Sequence, residues 1–112
     1  MKGNHLGEFE ELVLLTVCIL HGEAYGFSVK KEITQQTGRR PTLGAVHATL
    51  YRLQDKGLLD STLGGANSQR GGRRKRLFTI TSAGLAMLEE ARTIREQMWA
   101  LVPRLDIERS LG

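Results

Sequence analysis

Gly64-Gly65-Ala66-Asn67-Ser68-Gln69-Arg70-Gly71-Gly72-Arg73-Arg74-Lys75-Arg76 is a glycine-rich, strongly basic stretch between two apolar segments. Upstream, Leu58 to Leu63 reads as a short strand. Downstream, Leu77, Phe78, Thr79 and Ile80 are residues that favour a pleated surface. Strand, long loop, strand is a β-hairpin. Arg70, Arg73, Arg74, Lys75 and Arg76 put five cations within seven positions. Like charges so crowded repel one another unless an anion neutralises them. Glycines at 64, 65, 71 and 72 would let the loop follow a phosphate backbone. The hairpin is therefore expected to be a basic wing. A solubilising loop is the bland alternative. An RNA-binding Arg-Gly-Gly segment is disfavoured, because the stretch is short and flanked by strand-like sequence.

Three helices are expected before the hairpin. In the first, Phe9, Leu12, Val13, Thr16, Val17 and Leu20 follow helical spacing, and Leu14, Leu15 and Ile19 thicken the stripe. Such a helix should be buried on more than one side. Glu8, Glu10 and Glu11 suit the positive end of its dipole, and Gly22 stops it. The second runs from about Tyr25 to Thr37, with Phe27, Val29, Ile33 and Thr37 inward and Gly38 as its cap. Pro41 prevents its continuation. Thr42 caps the third. Its buried stripe should be Leu43, Val46, Leu50 and Leu53, leaving Gly44, Ala45, His47, Ala48, Thr49, Tyr51, Arg52 and Gln54 outside. Lys56 and Gly57 end it, cation then glycine.

After the hairpin, Thr81 caps a long last helix from Ser82 to about Val102, ended or kinked by Pro103. Met87, Ala91, Ile94, Met98 and Leu101 recur at intervals of four, three, four and three, a coiled-coil seam. Leu85, Leu88, Trp99 and Val102 widen it. The seam could fold back on its own core, but a long terminal helix with an apolar seam and a charged back is hard to bury in a small monomer. A homodimer is expected.

The chain of 112 residues suits one domain, with 40% hydrophobic and 25% charged residues. Residues 1–81 are expected to form a winged helix-turn-helix, and residues 82–112 a dimerisation helix in the same compact unit. The fold class is mainly α with a small β-hairpin. Residues 61–80 carry a net +5 against +4 for the whole chain, so the positive charge is focused on the hairpin. Cys18, the single cysteine, lies in an apolar run and reads as a small buried hydrophobe. That run is too short to span a bilayer and follows acidic residues, unlike a signal peptide, so a cytoplasmic protein is expected. His5, His21 and His47 lack metal-ligand spacing. No nucleophile, metal set or phosphate-binding loop is visible, so neither enzyme activity nor a cofactor is expected.

A slim, polar third helix followed by a basic wing suits double-stranded DNA. An α-helix fits the major groove, and Gly44, Ala45 and Ala48 would let its backbone come close. His47, Thr49, Tyr51 and Arg52 would supply donors, acceptors and a phosphate contact. Thr42 at the cap, and Tyr25 and Lys30 on the second helix, complete the expected DNA-binding set with Arg70, Arg73, Arg74, Lys75 and Arg76. The blander reading of Ala45 and Ala48 is that of helix formers on a solvated face. The competing functions are a winged-helix module for protein contact and a non-specific nucleic-acid binder.

Leu6-Gly7-Glu8-Phe9-Glu10, Glu23-Ala24-Tyr25-Gly26, the run from Thr42 to Leu53, Lys56-Gly57-Leu58-Leu59, and the passage from Gly71 through Arg76 to Thr79-Ile80-Thr81-Ser82-Ala83-Gly84 together carry a resemblance to the PadR family of bacterial transcriptional regulators. It covers roughly residues 6 to 102 and is closest to the short branch with one C-terminal helix. It implies a homodimer held by that helix on a near-palindromic operator. It also implies repression, in some relatives relieved by a small aromatic or hydrophobic effector. In some short-branch relatives a tryptophan of this region lines a drug pore, which suggests Trp99, Met98 and Phe9 as pocket residues; packing at the dimer interface is the plainer role for Trp99. The family commonly has tyrosine where His47 stands and proline where Ser82 stands.

Overall fold

A computed structural model describes residues 6–64 and 74–104. Residues 1–5, wing residues 65–73 with Arg70 and Arg73, and residues 105–112 lie outside the described residues. The elements run α1 (Glu8–Leu20), α2 (Gly26–Thr37), α3 (Leu43–Asp55), β1 (Leu59–Leu63), β2 (Arg76–Ile80) and α4 (Ser82–Leu101). This is the expected order: a mainly helical chain with one small hairpin.

Each element starts and stops for a local reason. The Glu10 carboxylate reaches back to accept from the Gly7 amide at 2.9 Å, closing the first turn of α1. Gly38 ends α2 in the left-handed region (φ 78°), where its missing Cβ removes the steric cost. The Thr42 hydroxyl accepts from the Ala45 amide at 3.0 Å, capping α3. Val102 is extended, as the residue before a proline tends to be, and α4 stops there.

The core gathers Val13, Leu14 and Val17 of α1, Val29 and Ile33 of α2, Val46, Leu50 and Leu53 of α3, Leu58, Leu59 and Phe78 of the hairpin region, and Leu88 of α4. Three inward assignments shift. Phe27 is 57% exposed, because two residues before Val29 is about 200° round the helix. Thr37, the last residue of α2, is exposed, and its hydroxyl donates to the Ile33 carbonyl at 2.7 Å. Leu43, in the first turn of α3, is exposed, and Thr49 takes an inner place between Val46 and Leu53. Helix α1 buries one side within the chain, while Leu15 and Ile19 face outward.

The hairpin is antiparallel, with register from Leu59 opposite Ile80 to Leu63 opposite Arg76. Phe78 is its buried anchor, and its amide also donates to the Ala24 carbonyl at 2.8 Å, bridging the start of α2 to the sheet. Thr81 joins hairpin to α4. Its hydroxyl accepts from the Gly84 amide at 3.0 Å and donates to the Gly57 carbonyl at 2.8 Å. Its own amide donates to the Leu58 carbonyl at 3.1 Å. A Cβ on Gly84 would collide with that carbonyl, so glycine lets α4 seat against the α3–β1 connection. Among the described residues no helix is long and apolar enough to cross a membrane.

Candidate nucleic-acid interface

The outward face of α3 carries Gly44, Ala45, His47, Ala48, Tyr51 and Arg52, all exposed. Space beside Gly44 is open among the described residues, so none of them crowds that position of the first turn. Thr49 departs from its expected role: it is 4% exposed, and its hydroxyl donates to the Ala45 carbonyl at 2.9 Å. Satisfied and turned inward, it cannot serve as a base contact. Thr42 is exposed, but its hydroxyl is engaged in capping.

The start of α2 joins this face to the wing. The Lys75 ammonium lies 4.3 Å from the centre of the Tyr25 ring, a cation–π contact across the base of the hairpin. The His47 imidazole lies over the bare Cα of Gly26, where a Cβ would collide with its Nε2. Tyr51 sits 6.5 Å from His47, centroid to centroid, and meets the Phe78 ring edge-on at 5.6 Å. Lys30 is half-buried on α2.

The basic residues divide by how far they are committed. Arg74 is exposed, its Nε donating to the Gly64 carbonyl at 3.0 Å across the mouth of the hairpin. Lys75 is exposed above Tyr25. Arg76 is half-buried and donates to the Ser61 hydroxyl at 3.0 Å, which donates to Gln54 at 2.6 Å. Arg76 thus fastens β2 to β1 and, through Ser61, to α3.

Arg52 belongs to a cluster the sequence did not reveal. The buried Glu10 carboxylate accepts from Lys56 Nζ at 2.9 and 3.1 Å, and Arg52 Nη1 stands 3.8 Å away. Burial alone would push this carboxyl up. The Gly7 amide, the Lys56 ammonium and the Arg52 guanidinium outweigh burial and hold it below the ordinary carboxylate value. Glu10 therefore ties the C-terminal turn of α3 to α1. A usable sequence signal was its third position in α1, where an acidic residue closes the first turn. Cys18 is half-buried and burial pushes its thiol up, as suits a packed rather than reactive cysteine.

The last helix is only partly covered. Met87 packs against the core and Ala91 is half-buried, but Ile94, Met98 and Trp99 are exposed and Leu101 is 82% exposed. Ile94, Arg95, Met98, Trp99 and Val102 line an open apolar hollow of about 460 Å³. Phe9 does not join it. It packs against the core under the Arg39 guanidinium, 5.6 Å from the ring centre, which removes it from the expected pocket.

The sequence model of the PadR-like transcriptional regulator family matches residues 14–90, more than half the chain. The chain belongs to this family. Its PadR-like fold recurs in solved structures. The PadR-like transcriptional regulator of Bacillus cereus superposes with a TM-score of 0.65 at 23% identity, covering 82% of this chain and 84% of that one. A PadR family regulator of Eggerthella lenta gives 0.64 at 23% identity, covering 83% and 80%. BpsR of Bordetella bronchiseptica, described for regulation of its DNA binding by 6-hydroxynicotinic acid, gives 0.68 at 22% identity, covering 99% and 76%. Comparison with curated protein sequences finds no match. The PadR-like assignment makes the protein a DNA-binding transcriptional regulator of winged-helix fold, from a family of regulators rather than enzymes.

Proposed function

We propose that this PadR-like protein is a cytoplasmic repressor that binds a near-palindromic double-stranded DNA site as a homodimer. Helix α3 enters the major groove, and the wing's basic residues meet the phosphate backbone. Residues 1–81 serve the DNA and residues 82–112 the dimer.

The observation that carries this reading is the slim outer face of α3 beside Lys75. Gly44, Ala45 and Ala48 offer no bulk, while His47 and Tyr51 offer polar tips next to a cation held over Tyr25. Arg74 and Lys75 fit phosphate contacts, as do Arg70 and Arg73 from the sequence. The homodimer rests on the apolar side chains left outside: Leu15 and Ile19 on α1, and Ile94, Met98 and Leu101 on α4. A twofold pair would set two α3 helices about one DNA turn apart, roughly 34 Å. The hollow beside Trp99 suits a small aromatic or hydrophobic effector that releases the DNA.

The test is a fluorescence-anisotropy titration with DNA from upstream of the protein's own gene, against scrambled DNA, at two salt concentrations. Tighter binding to the native fragment, weakening steeply with salt, is expected. Equal, weak binding to both would favour a non-specific binder or a protein-contact module.

A further inference from the structure

We propose that Gly26 is a specificity-determining residue of this DNA interface, acting through the orientation of His47. The inference rests on the reading above, in which His47 meets the bases.

Gly26 is the first residue of α2 and is buried. It is not among the residues with positive φ, so its backbone does not require glycine. Glycine is also a poor helix former. What the position requires is the absence of a side chain. The three atoms nearest to a Cβ placed there all belong to the His47 ring: Nε2, Cδ2 and Cε1. The edge of the imidazole therefore lies over the α2 backbone. Tyr51 flanks the same ring at 6.5 Å, and Phe78 backs Tyr51 at 5.6 Å. The segment beneath is itself held, by the Phe78 amide on the Ala24 carbonyl at 2.8 Å and by Lys75 on Tyr25 at 4.3 Å. An exposed histidine on a helix ordinarily samples several rotamers. Here α2 supplies a floor and Tyr51 a neighbour, so the ring is pre-set before it meets DNA. Direct readout depends on where a donor or acceptor stands in the groove. A methyl group at residue 26 would lift the ring off its floor and change which base it meets.

The experiment is binding-site selection from a randomised DNA pool with the wild type, Gly26→Ala, His47→Ala and the double variant, together with affinity for scrambled DNA and thermal melts. Gly26→Ala should lose about tenfold discrimination at the base positions that His47→Ala also affects. Its affinity for scrambled DNA should stay unchanged. The double variant should match His47→Ala in preference and melt no lower than it, because the clashing imidazole is gone and alanine is the better helix former. Wild-type preference in Gly26→Ala, with altered preference in His47→Ala, would overturn this proposal and leave the base-reading role of His47 intact. Unchanged preference in His47→Ala would overturn both. Should Gly26→Ala fail to fold, the double variant decides: recovery to the His47→Ala melting temperature supports the steric pairing, and failure to recover overturns it.

Discussion

The Lys56 ammonium donates to both oxygens of the Glu10 carboxylate, at 2.9 and 3.1 Å, and so pins the end of α3 to the first turn of α1. Glu10 is buried, while Lys56 and Arg52 keep access to water. Replacing Glu10 with Gln should destabilise the fold by about 1.5–3 kcal/mol, the range for a hydrogen bond to a charged group. The carboxyl is held below its ordinary value, so its contribution is present above the unfolded pKa of about 4.3 and is lost as pH falls through the folded value. Melting temperature should therefore fall more steeply on acidification in the wild type than in Glu10→Gln, with the curves converging at low pH. Parallel curves would mean that Glu10 is not the titrating link.

At the wing, Arg74→Ala and Lys75→Ala should each weaken binding to native and scrambled DNA alike. Each should lower the slope of log affinity against log salt by about one unit. Tyr25→Ala should reproduce part of the Lys75 effect, and Tyr25→Phe should not, since a phenyl ring retains the cation–π contact. Anisotropy titrations across a salt series separate these cases; a Tyr25→Ala protein with wild-type affinity would show that the contact does not position Lys75.

Ile94→Asp and Met98→Asp test the dimer. Both side chains are exposed in the single chain, so neither change should unfold it. Sedimentation equilibrium should show a dimer mass in the wild type and a monomer mass in the double variant, with the circular dichroism of the fold retained. Affinity for a two-half-site operator should drop about a hundredfold, because the second contact is no longer tethered to the first. A variant that stays dimeric would move the interface elsewhere.

Gly84→Ala should cost about 1–3 kcal/mol of stability in urea unfolding, the range for overpacking. The added Cβ would run into the Leu58 carbonyl and come within 2.8 Å of Ile80. Little change in the midpoint would mean that α4 shifts to make room.

The order and type of every described element were legible in the sequence, because hydrophobic spacing and capping residues agree along the chain. Thr42, Gly38 and Thr81 end or begin helices where their chemistry demands it. Side-chain facing was less legible. Spacing alone set Phe27, Leu43 and Thr37 inward and Thr49 outward, since it defines a stripe on a helix but not which edge of that stripe the neighbours cover. Of the site, the slim face of α3 and the basic stretch could be read from local composition. The Glu10–Lys56 pair, the Lys75–Tyr25 contact and the Gly26–His47 fit could not, because each joins residues far apart in sequence.

Thr81 and Gly84 fasten one end of α4, and the helix runs on for 20 residues with its outer part largely uncovered. At the usual rise that is a lever about 30 Å long. A tilt of about 10° at the fastened end swings the far end through about 5 Å. In a twofold pair each arm carries its own α3, so the stagger between half-sites is geared to the seating angle at Thr81. Operator spacing in such a protein would be retuned by residues that never approach DNA.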